Sequence, residues 1–233
     1  MWRSEARPVD AAAALVAPCD GVLLAVEDDV TSTSLVQVKG ITYSIQSLLR
    51  VPPGAPVPPG CKRVALAIHL RVGDFHHVIA PTGFCCRGSV YVPGTLLPAT
   101  WEGYHYLPGV LALNERLVVH GTVAAQRPTG ARGSKTDRTP QEGAPFIGMA
   151  LVGSTLSGNL KLCFDDRIRT NFLDPPDYAV HQTYSGDAFM RRGSRVGYFQ
   201  WGSTVVVVAD VPKEAQFVHH AAEVVKAGEP LLR

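Results

Sequence analysis

The chain has 233 residues, 46% of them hydrophobic, and a net charge of +2, which predicts a single globular domain over residues 1–233. The charge balance, without any run of Lys or Arg, excludes the basic footprint of a nucleic-acid-binding protein. Five cysteines without zinc-type spacing argue against a disulfide framework and a metal site, and favour a reducing or organellar interior. No apolar run approaches the ~18 residues that span a bilayer.

The first quarter of the chain predicts short elements separated by turns. Residues 9–16 predict a short helix that ends before Pro18, and residues 22–26 predict a strand. Residues 36–44 alternate like a half-buried strand with a bend at Gly40, after which Ser44 is expected to cap a helical turn. Residues 51–60 are rich in Pro and Gly and predict a surface linker.

The remaining elements are mostly strands. Residues 126–145 predict a disordered loop or an insertion, and residues 170–187 a second irregular polar stretch. The fold class is therefore mainly β, with packed or partly closed antiparallel sheets and a minor N-terminal helix. Apolar, β-branched runs between turn residues predict strands at 63–70, 88–92, 117–119, 147–152, 160–164, 196–200 and 205–209.

A Gly202-Ser203-Thr204 triplet precedes four consecutive valines, 205–208. This short, uncharged run is typical of a strand buried on both faces. The Ser203 hydroxyl at its entrance is unfavourable unless it is paired or used, and Gly202 leaves its carbonyl carbon open to approach. A turn glycine followed by an ordinary strand is the alternative, and the same triplet recurs at 153–155.

These residues, with four other stretches in the same order, resemble the phosphatidylserine decarboxylase family, and most closely its mitochondrial branch. The match extends over nearly the whole chain. The matching stretches are Pro18-Cys19-Asp20-Gly21 with Gln37-Val38-Lys39-Gly40 and Tyr43-Ser44; Asp74-Phe75-His76-His77-Val78-Ile79-Ala80-Pro81; Pro93-Gly94; and Asn114-Glu115-Arg116, with a closing Gly228-Glu229.

The resemblance implies a proenzyme that cleaves itself between Gly202 and Ser203. Ser203 would become a pyruvoyl group at the start of a small chain, 203–233, which stays with the large chain, 1–202. That group would decarboxylate phosphatidylserine to phosphatidylethanolamine and CO₂, serving as the electron sink that pyridoxal phosphate provides elsewhere.

The resemblance also assigns roles to single residues. Asp20 would orient the base that activates Ser203, and His76 matches the proton donor of the decarboxylation. The family's base is the second His of its Asp-Tyr-His-x-x-His-x-Pro segment, where this chain has Ile79. If this segment is extended, His77 lies on the same side as Ile79 and is a candidate replacement. The alternatives are a turn role for Asp20, a packing or surface role for His77, and slow or absent processing.

Other polar motifs are interpreted as structural. Asn114-Glu115-Arg116 is expected to form an ion pair or a turn near the core, in preference to a contact with the substrate carboxylate. The remaining histidines have no matching role and are expected at the surface or in ordinary packing: His69, His105, His120, His181, His219 and His220.

A phosphatidylserine substrate implies peripheral contact with a membrane. The resemblance to the mitochondrial branch implies that this membrane is the mitochondrial inner membrane. Relatives usually have a longer N-terminal region, so a fragment or a shortened form is expected. The sequence leaves a homodimer open. Residues near the Pro-Gly turn would either enter the interface or, residue by residue, belong to the core: Leu96, Leu97, Trp101, Tyr104, Tyr106 and Leu107.

Two other functions compete with this prediction. One is a non-processing, catalytically silent relative that binds lipid or a partner. The other is a β-rich carrier domain, disfavoured by the five ordered motifs and by the lack of an exposed lysine turn for an attached cofactor.

Overall fold

The computed structural model describes residues 7–30, 35–38, 40–51, 56–124, 143–155, 157–184 and 188–233. Most of the predicted 126–145 loop, part of the predicted 51–60 linker, and Lys39 lie outside these residues. The elements are β1 (Leu15–Val16), β2 (Gly21–Glu27), β3 (Leu35–Val38), β4 (Ile41–Ser44), α1 (Ile45–Leu49), β5 (Cys61–His69), β6 (His77–Ile79), β7 (Phe84–Val92), α2 (Trp101–Tyr106), α3 (Val110–Leu113), β8 (Arg116–Val123), β9 (Phe146–Val152), β10 (Leu160–Leu162), β11 (Val180–Thr183), β12 (Phe189–Met190), β13 (Arg195–Phe199), β14 (Thr204–Pro212), β15 (Val224–Val225) and β16 (Pro230–Leu232).

A nine-stranded antiparallel sheet dominates the fold. Its strands follow the order β11-β7-β8-β9-β14-β5-β2-β15, and β12 also pairs with β7. The valine-rich strand β14 is central, paired along its length with β5 on one side and β9 on the other. The predicted mainly β fold with packed antiparallel sheets is therefore confirmed.

Both faces of this sheet are covered by apolar side chains. Val205 and Val207 lie in one hydrophobic cluster, whereas Val206 and Val208 lie in a second cluster on the opposite face. Successive strand residues point to opposite faces, so this division confirms the prediction that the run is buried on both sides. The Gly202-Ser203 peptide thus leads directly into the interior of the sheet.

Smaller elements complete the two layers. A three-stranded sheet, β10-β13-β6, contributes Val78 and Val196 to the first cluster. Helix α1 contributes Ile45, Leu48 and Leu49 to the second, and Ser44 caps it as predicted, accepting a hydrogen bond from Ser47 N–H at 3.2 Å. In the described part of the chain, no helix combines the length and apolar character needed to cross a bilayer.

Two predicted elements were wrong. Residues 9–16 do not form a helix, because Asp10 accepts hydrogen bonds from the backbone of residues 12 and 13 and β1 then pairs with β16 at the other end of the chain. The predicted irregular stretch 170–187 contains β11, which pairs with the edge strand β7. In both cases distant strand pairing decides the local conformation, which sequence propensity does not report.

Candidate active site

The Ser203 side chain is a buried polar group. Ser203 is 0% exposed, and its carbonyl oxygen accepts a hydrogen bond from Leu70 N–H at 2.6 Å. Its hydroxyl has no hydrogen-bond partner among the described residues. An unpaired buried hydroxyl is unfavourable by about 1–3 kcal/mol, so Ser203 Oγ adds no hydrogen bond to the fold within the described residues.

Gly202 is enclosed by the loop that follows β5. A Cβ at this position would lie 2.3 Å from the Leu70 carbonyl oxygen and 3.1 Å from the Arg71 carbonyl group, so only glycine fits without a backbone shift. The carbonyl oxygen of Gly202 accepts a hydrogen bond from the Ser157 hydroxyl. The carbonyl next to Ser203 is therefore both closely packed and polarised by a neighbouring O–H group.

Asn114-Glu115-Arg116 organises the segment that leads to Ser157. Asn114 donates to the Gly153 carbonyl at 2.9 Å, and Gly153 N–H donates to the Glu115 carbonyl at 2.7 Å. The Glu115 carboxylate binds Tyr91. Arg116 is fully buried and donates to four backbone carbonyls, those of Ser47, Leu48, Ala112 and Asn114. The motif is structural, as predicted, but Glu115 and Arg116 bind different partners and do not form an ion pair with each other.

The carboxylate of Asp20 is almost fully engaged. Arg7 binds it through two hydrogen bonds, at 2.9 and 2.6 Å, and Ala227 N–H donates to it at 2.9 Å. Burial raises the pKa of Asp20, but the hydrogen bonds from Arg7 and Ala227 outweigh burial and leave the pKa below its ordinary value. Asp20 is thus an ionised long-range anchor, and its side chain does not bond to its own turn.

His76 and His77 each have a buried ring nitrogen without a hydrogen-bond partner in the described part of the chain, Nε2 and Nδ1 respectively. Burial lowers both pKa values below the ordinary value for histidine, against an opposing effect of Asp74 and Asp20 on His76. The rings are therefore biased towards the neutral form, which accepts protons. The His77 ring packs between Phe75 and Tyr198, with centroid distances of 4.9 and 5.3 Å.

Ile79, which the sequence interpretation places where the family that the chain resembles has its second histidine, is 0% exposed. It lies on β6, two residues after His77. Because β6 is extended, His77 and Ile79 lie on the same side of the strand, which was the condition for His77 to act as a replacement. Among the residues described, no hydrogen bond joins Ser203 Oγ to Asp20, His76 or His77, so their catalytic roles stay predictions.

Backbone contacts nevertheless place these residues on adjoining segments. Leu70 N–H bonds to the Ser203 carbonyl, Phe199 N–H donates to the His76 carbonyl at 3.0 Å, and Ile79 N–H donates to the Pro18 carbonyl at 2.7 Å. Backbone hydrogen bonds thus join the turn that carries Asp20 to β6, and the 70–76 loop to the residues around the Gly202-Ser203 peptide.

A second polar group beside Ser203 was missed in the sequence. The Tyr104 hydroxyl contacts Thr204 Oγ1, lies 3.0 Å from His69 Nδ1 and donates to the Ala99 carbonyl at 3.0 Å. A phenol has one proton, so His69 and Thr204 must both donate to its oxygen. This fixes the His69 proton on Nδ1, and His69 is a hydrogen-bonded interior side chain.

The structure divides the residues for which membrane contact and a place in the core were the two alternatives. Tyr104 is 0% exposed, so it belongs to the core, the alternative that the sequence favoured for each residue, and its phenol is part of the buried network. Leu97 and Leu107 pack against the second cluster and are mostly core. Tyr106 is exposed, and the side chain of Trp101 lies outside the described residues.

Comparison with known proteins assigns the family. The sequence profile described as phosphatidylserine decarboxylase matches residues 1–233. The chain belongs to the phosphatidylserine decarboxylase family. Within this family, it is 25% identical over 254 residues to "Phosphatidylserine decarboxylase proenzyme, mitochondrial" of Cricetulus griseus, covering 98% of this chain and 57% of that protein. It is 29% identical over 239 residues to "Phosphatidylserine decarboxylase proenzyme" of Nitrosococcus oceani, covering 97% of this chain and 68% of that protein.

The relative from Rattus norvegicus is 26% identical over 254 residues and has the same name as the Cricetulus protein. The chain spans a little over half of the length of these mitochondrial relatives, 57% in each case. Membership of the phosphatidylserine decarboxylase family agrees with the five motifs recognised in the sequence.

Proposed function

We propose that this chain cleaves itself between Gly202 and Ser203 and then decarboxylates phosphatidylserine to phosphatidylethanolamine and CO₂. Family membership supports this proposal, as does the word proenzyme in the names of its relatives. The observation that carries it is the buried Ser203 hydroxyl, which has no hydrogen-bond partner among the residues that the structure describes and lies beside the carbonyl of a glycine that admits no side chain.

The cleavage reaction requires only groups of the chain and one water molecule. Ser203 Oγ loses its proton to a base and attacks the Gly202 carbonyl carbon, and the amide nitrogen then leaves with a proton, which gives an ester. Loss of the Ser203 α-proton expels the Gly202 carboxylate. Water converts the remaining unsaturated residue to the pyruvoyl ketone and ammonia.

An alcohol needs an oriented base for this attack. We assign the base role to His77, the proton donor role to His76, and the orienting role to Asp20. The lowered pKa of His77 favours neutral imidazole at neutral pH, which suits a base. Asp20 keeps its charge through Arg7, and its turn is bonded to the strand that carries His77.

The residues around position 203 fit a pyruvoyl group derived from Ser203. Ser203 is fully buried, which limits access of water to its side chain. The orphaned hydroxyl supplies the oxygen needed for cleavage. When formed, the ketone supplies an electron sink for decarboxylation, and His76, whose Nε2 is free of protein partners in the described part of the chain, would hold the proton that replaces CO₂.

We propose peripheral contact with a membrane beside the cleavage point, because the acyl chains of phosphatidylserine stay in a bilayer. Trp201 precedes Gly202 directly and is 52% exposed, and Val72, next to the Arg71 carbonyl that packs on Gly202, is 66% exposed. Trp is favoured at membrane interfaces. The mitochondrial inner membrane is the proposed location, since several relatives are named as mitochondrial.

A catalytically silent relative is the second candidate. It is favoured by the buried Ile79 at the position of the expected base. Such a protein would keep the fold, remain a single chain, and bind lipid or a partner without turnover.

Intact-mass measurement of the purified chain separates the two functions. Self-cleavage gives fragments 1–202 and 203–233, the smaller with the mass of an N-terminal pyruvoyl, and Ser203→Ala abolishes them. The cleaved protein should release CO₂ from phosphatidylserine vesicles. A single uncut wild-type chain would exclude the proposed enzyme and support the silent relative.

A further inference from the structure

The Ser157 hydroxyl donates its proton to the carbonyl oxygen of Gly202. We propose that Ser157 is a catalytic residue of self-cleavage, stabilising the negative charge that forms on this oxygen. The inference rests on the proposed function, because it concerns the same peptide bond.

The direction of this hydrogen bond is fixed by chemistry. A carbonyl oxygen only accepts, so the Ser157 O–H group must be the donor. When Ser203 Oγ attacks, the carbonyl electron pair moves onto the Gly202 oxygen and the Ser203 proton passes to the base. The pair returns as the amide nitrogen leaves with a proton. A hydrogen bond to an oxyanion is stronger than one to a neutral carbonyl, so Ser157 stabilises the transition state more than the ground state.

Residues on both sides of Ser157 are hydrogen-bonded to other parts of the chain. Before it, Gly153 is bonded to Asn114 and Glu115, and Ser154 accepts a hydrogen bond from Ala99 N–H at 3.0 Å. After it, the Thr170 hydroxyl donates to the Gly158 carbonyl at 2.7 Å. A donor fixed in advance needs no reorganisation during the reaction, which makes it effective in electrostatic catalysis.

Burial strengthens the effect. Ser157 is 1% exposed and Ser203 is 0% exposed, so water screens the charge that develops next to them less than it would at the protein surface. The contact joins residues 45 positions apart, and residues 157 and 158 lie outside the stretches quoted above as matching the family. Ser157 therefore adds a group to the site that none of the predicted roles supplies.

The test is pulse–chase synthesis of the full chain in a cell-free system, with the rate of appearance of fragments 1–202 and 203–233 as the readout. Removing one such donor slows a reaction by about 10²–10³-fold, so Ser157→Ala should cleave at least about 10²-fold more slowly than the wild type. Ser157→Cys keeps the shape with a weaker donor and should be slowed about tenfold or more. If Ser157→Ala does not fold, the cysteine variant decides.

Ser89→Ala is the matched control. Ser89 is also 0% exposed, and its hydroxyl bonds to Tyr184 at 2.8 Å, on strand β7 away from the cleavage point. Its cleavage rate should stay within about threefold of wild type. Hydroxylamine added during the chase traps any ester. Because Ser157 acts before the ester forms, its variants should accumulate none.

The outcomes separate this inference from the proposed function. If the wild type cleaves and both Ser157 variants cleave at the wild-type rate, the role of Ser157 is overturned while the proposed function stands. Accumulation of trapped ester in Ser157→Ala has the same consequence. A wild-type chain that never cleaves overturns the proposed function, and the role of Ser157 with it. Slow cleavage in both Ser157 variants, with normal cleavage in Ser89→Ala, supports the inference.

Discussion

Replacing Gly202 with alanine should stop self-cleavage without unfolding the protein. The new Cβ would lie 2.3 Å from the Leu70 carbonyl oxygen, whereas an ordinary contact begins at 3.4 Å. The two backbone segments must therefore separate by about 1 Å. This moves the Gly202 carbonyl relative to both Ser157 and Ser203 Oγ, and a misplacement of about 1 Å reduces a rate by roughly 10²-fold.

The assay compares fragment formation by Gly202→Ala and wild type on denaturing gels over a time course. Gly73→Ala is the control, since Gly73 lies in the same loop, three residues beyond Leu70, and a Cβ added there would have no described atom within 4 Å. It should cleave normally. Cleavage of Gly202→Ala within a few-fold of wild type would refute the packing argument, as would equal slowing of both variants.

Three further changes test the site. Ile79→His restores an imidazole at a fully buried position and should speed cleavage by about 10²-fold or more while lowering the free energy of unfolding by about 1–3 kcal/mol; an unchanged cleavage rate would contradict this. Tyr104→Phe removes a hydroxyl with three partners and should lower the free energy of unfolding by about 1–3 kcal/mol. Urea titrations measure this, and an unchanged urea concentration at half-unfolding would contradict it. Burial lowers the pKa of His76 from 6.5, so below about pH 6.5 the unfolded chain binds a proton more readily than the folded one, and the free energy of unfolding should decline as the pH falls. Urea titrations at several pH values check this, and the same pH dependence in His76→Gln as in the wild type would rule out a contribution of His76.

The central part of the fold was predictable because its signal is local. The run of four valines carries strand propensity and length in consecutive residues, and Ser44 with the apolar residues after it carries a helix cap. The 9–16 helix failed for the opposite reason. Its residues favour a helix in isolation, yet β1 is fixed by β16, more than two hundred residues later.

The candidate site shows the same division. Ser203 and Gly202 were found from adjacent residues, since a hydroxyl before a buried strand is visible in the sequence. The partner of Gly202 was not, because Ser157 reaches it across 45 residues. The only sequence feature near Ser157 was the second Gly-Ser-Thr triplet, at 153–155. A repeated triplet does not identify Ser157 as the partner of Gly202. Arg7 was likewise missed as the partner of Asp20, because nothing near either residue indicates the pairing.

The central position of β14 in the sheet determines whether the two fragments would stay associated after cleavage. This strand belongs to the fragment 203–233 but is bonded on both edges to strands of 1–202, and β15 and β16 extend the same fragment onto β2 and β1. Breaking one peptide bond would leave every one of these ladders in place. The two fragments would remain associated from the moment of cleavage and would not exchange between molecules. Release of the small fragment, with its reactive N-terminus, would require unfolding of the whole protein.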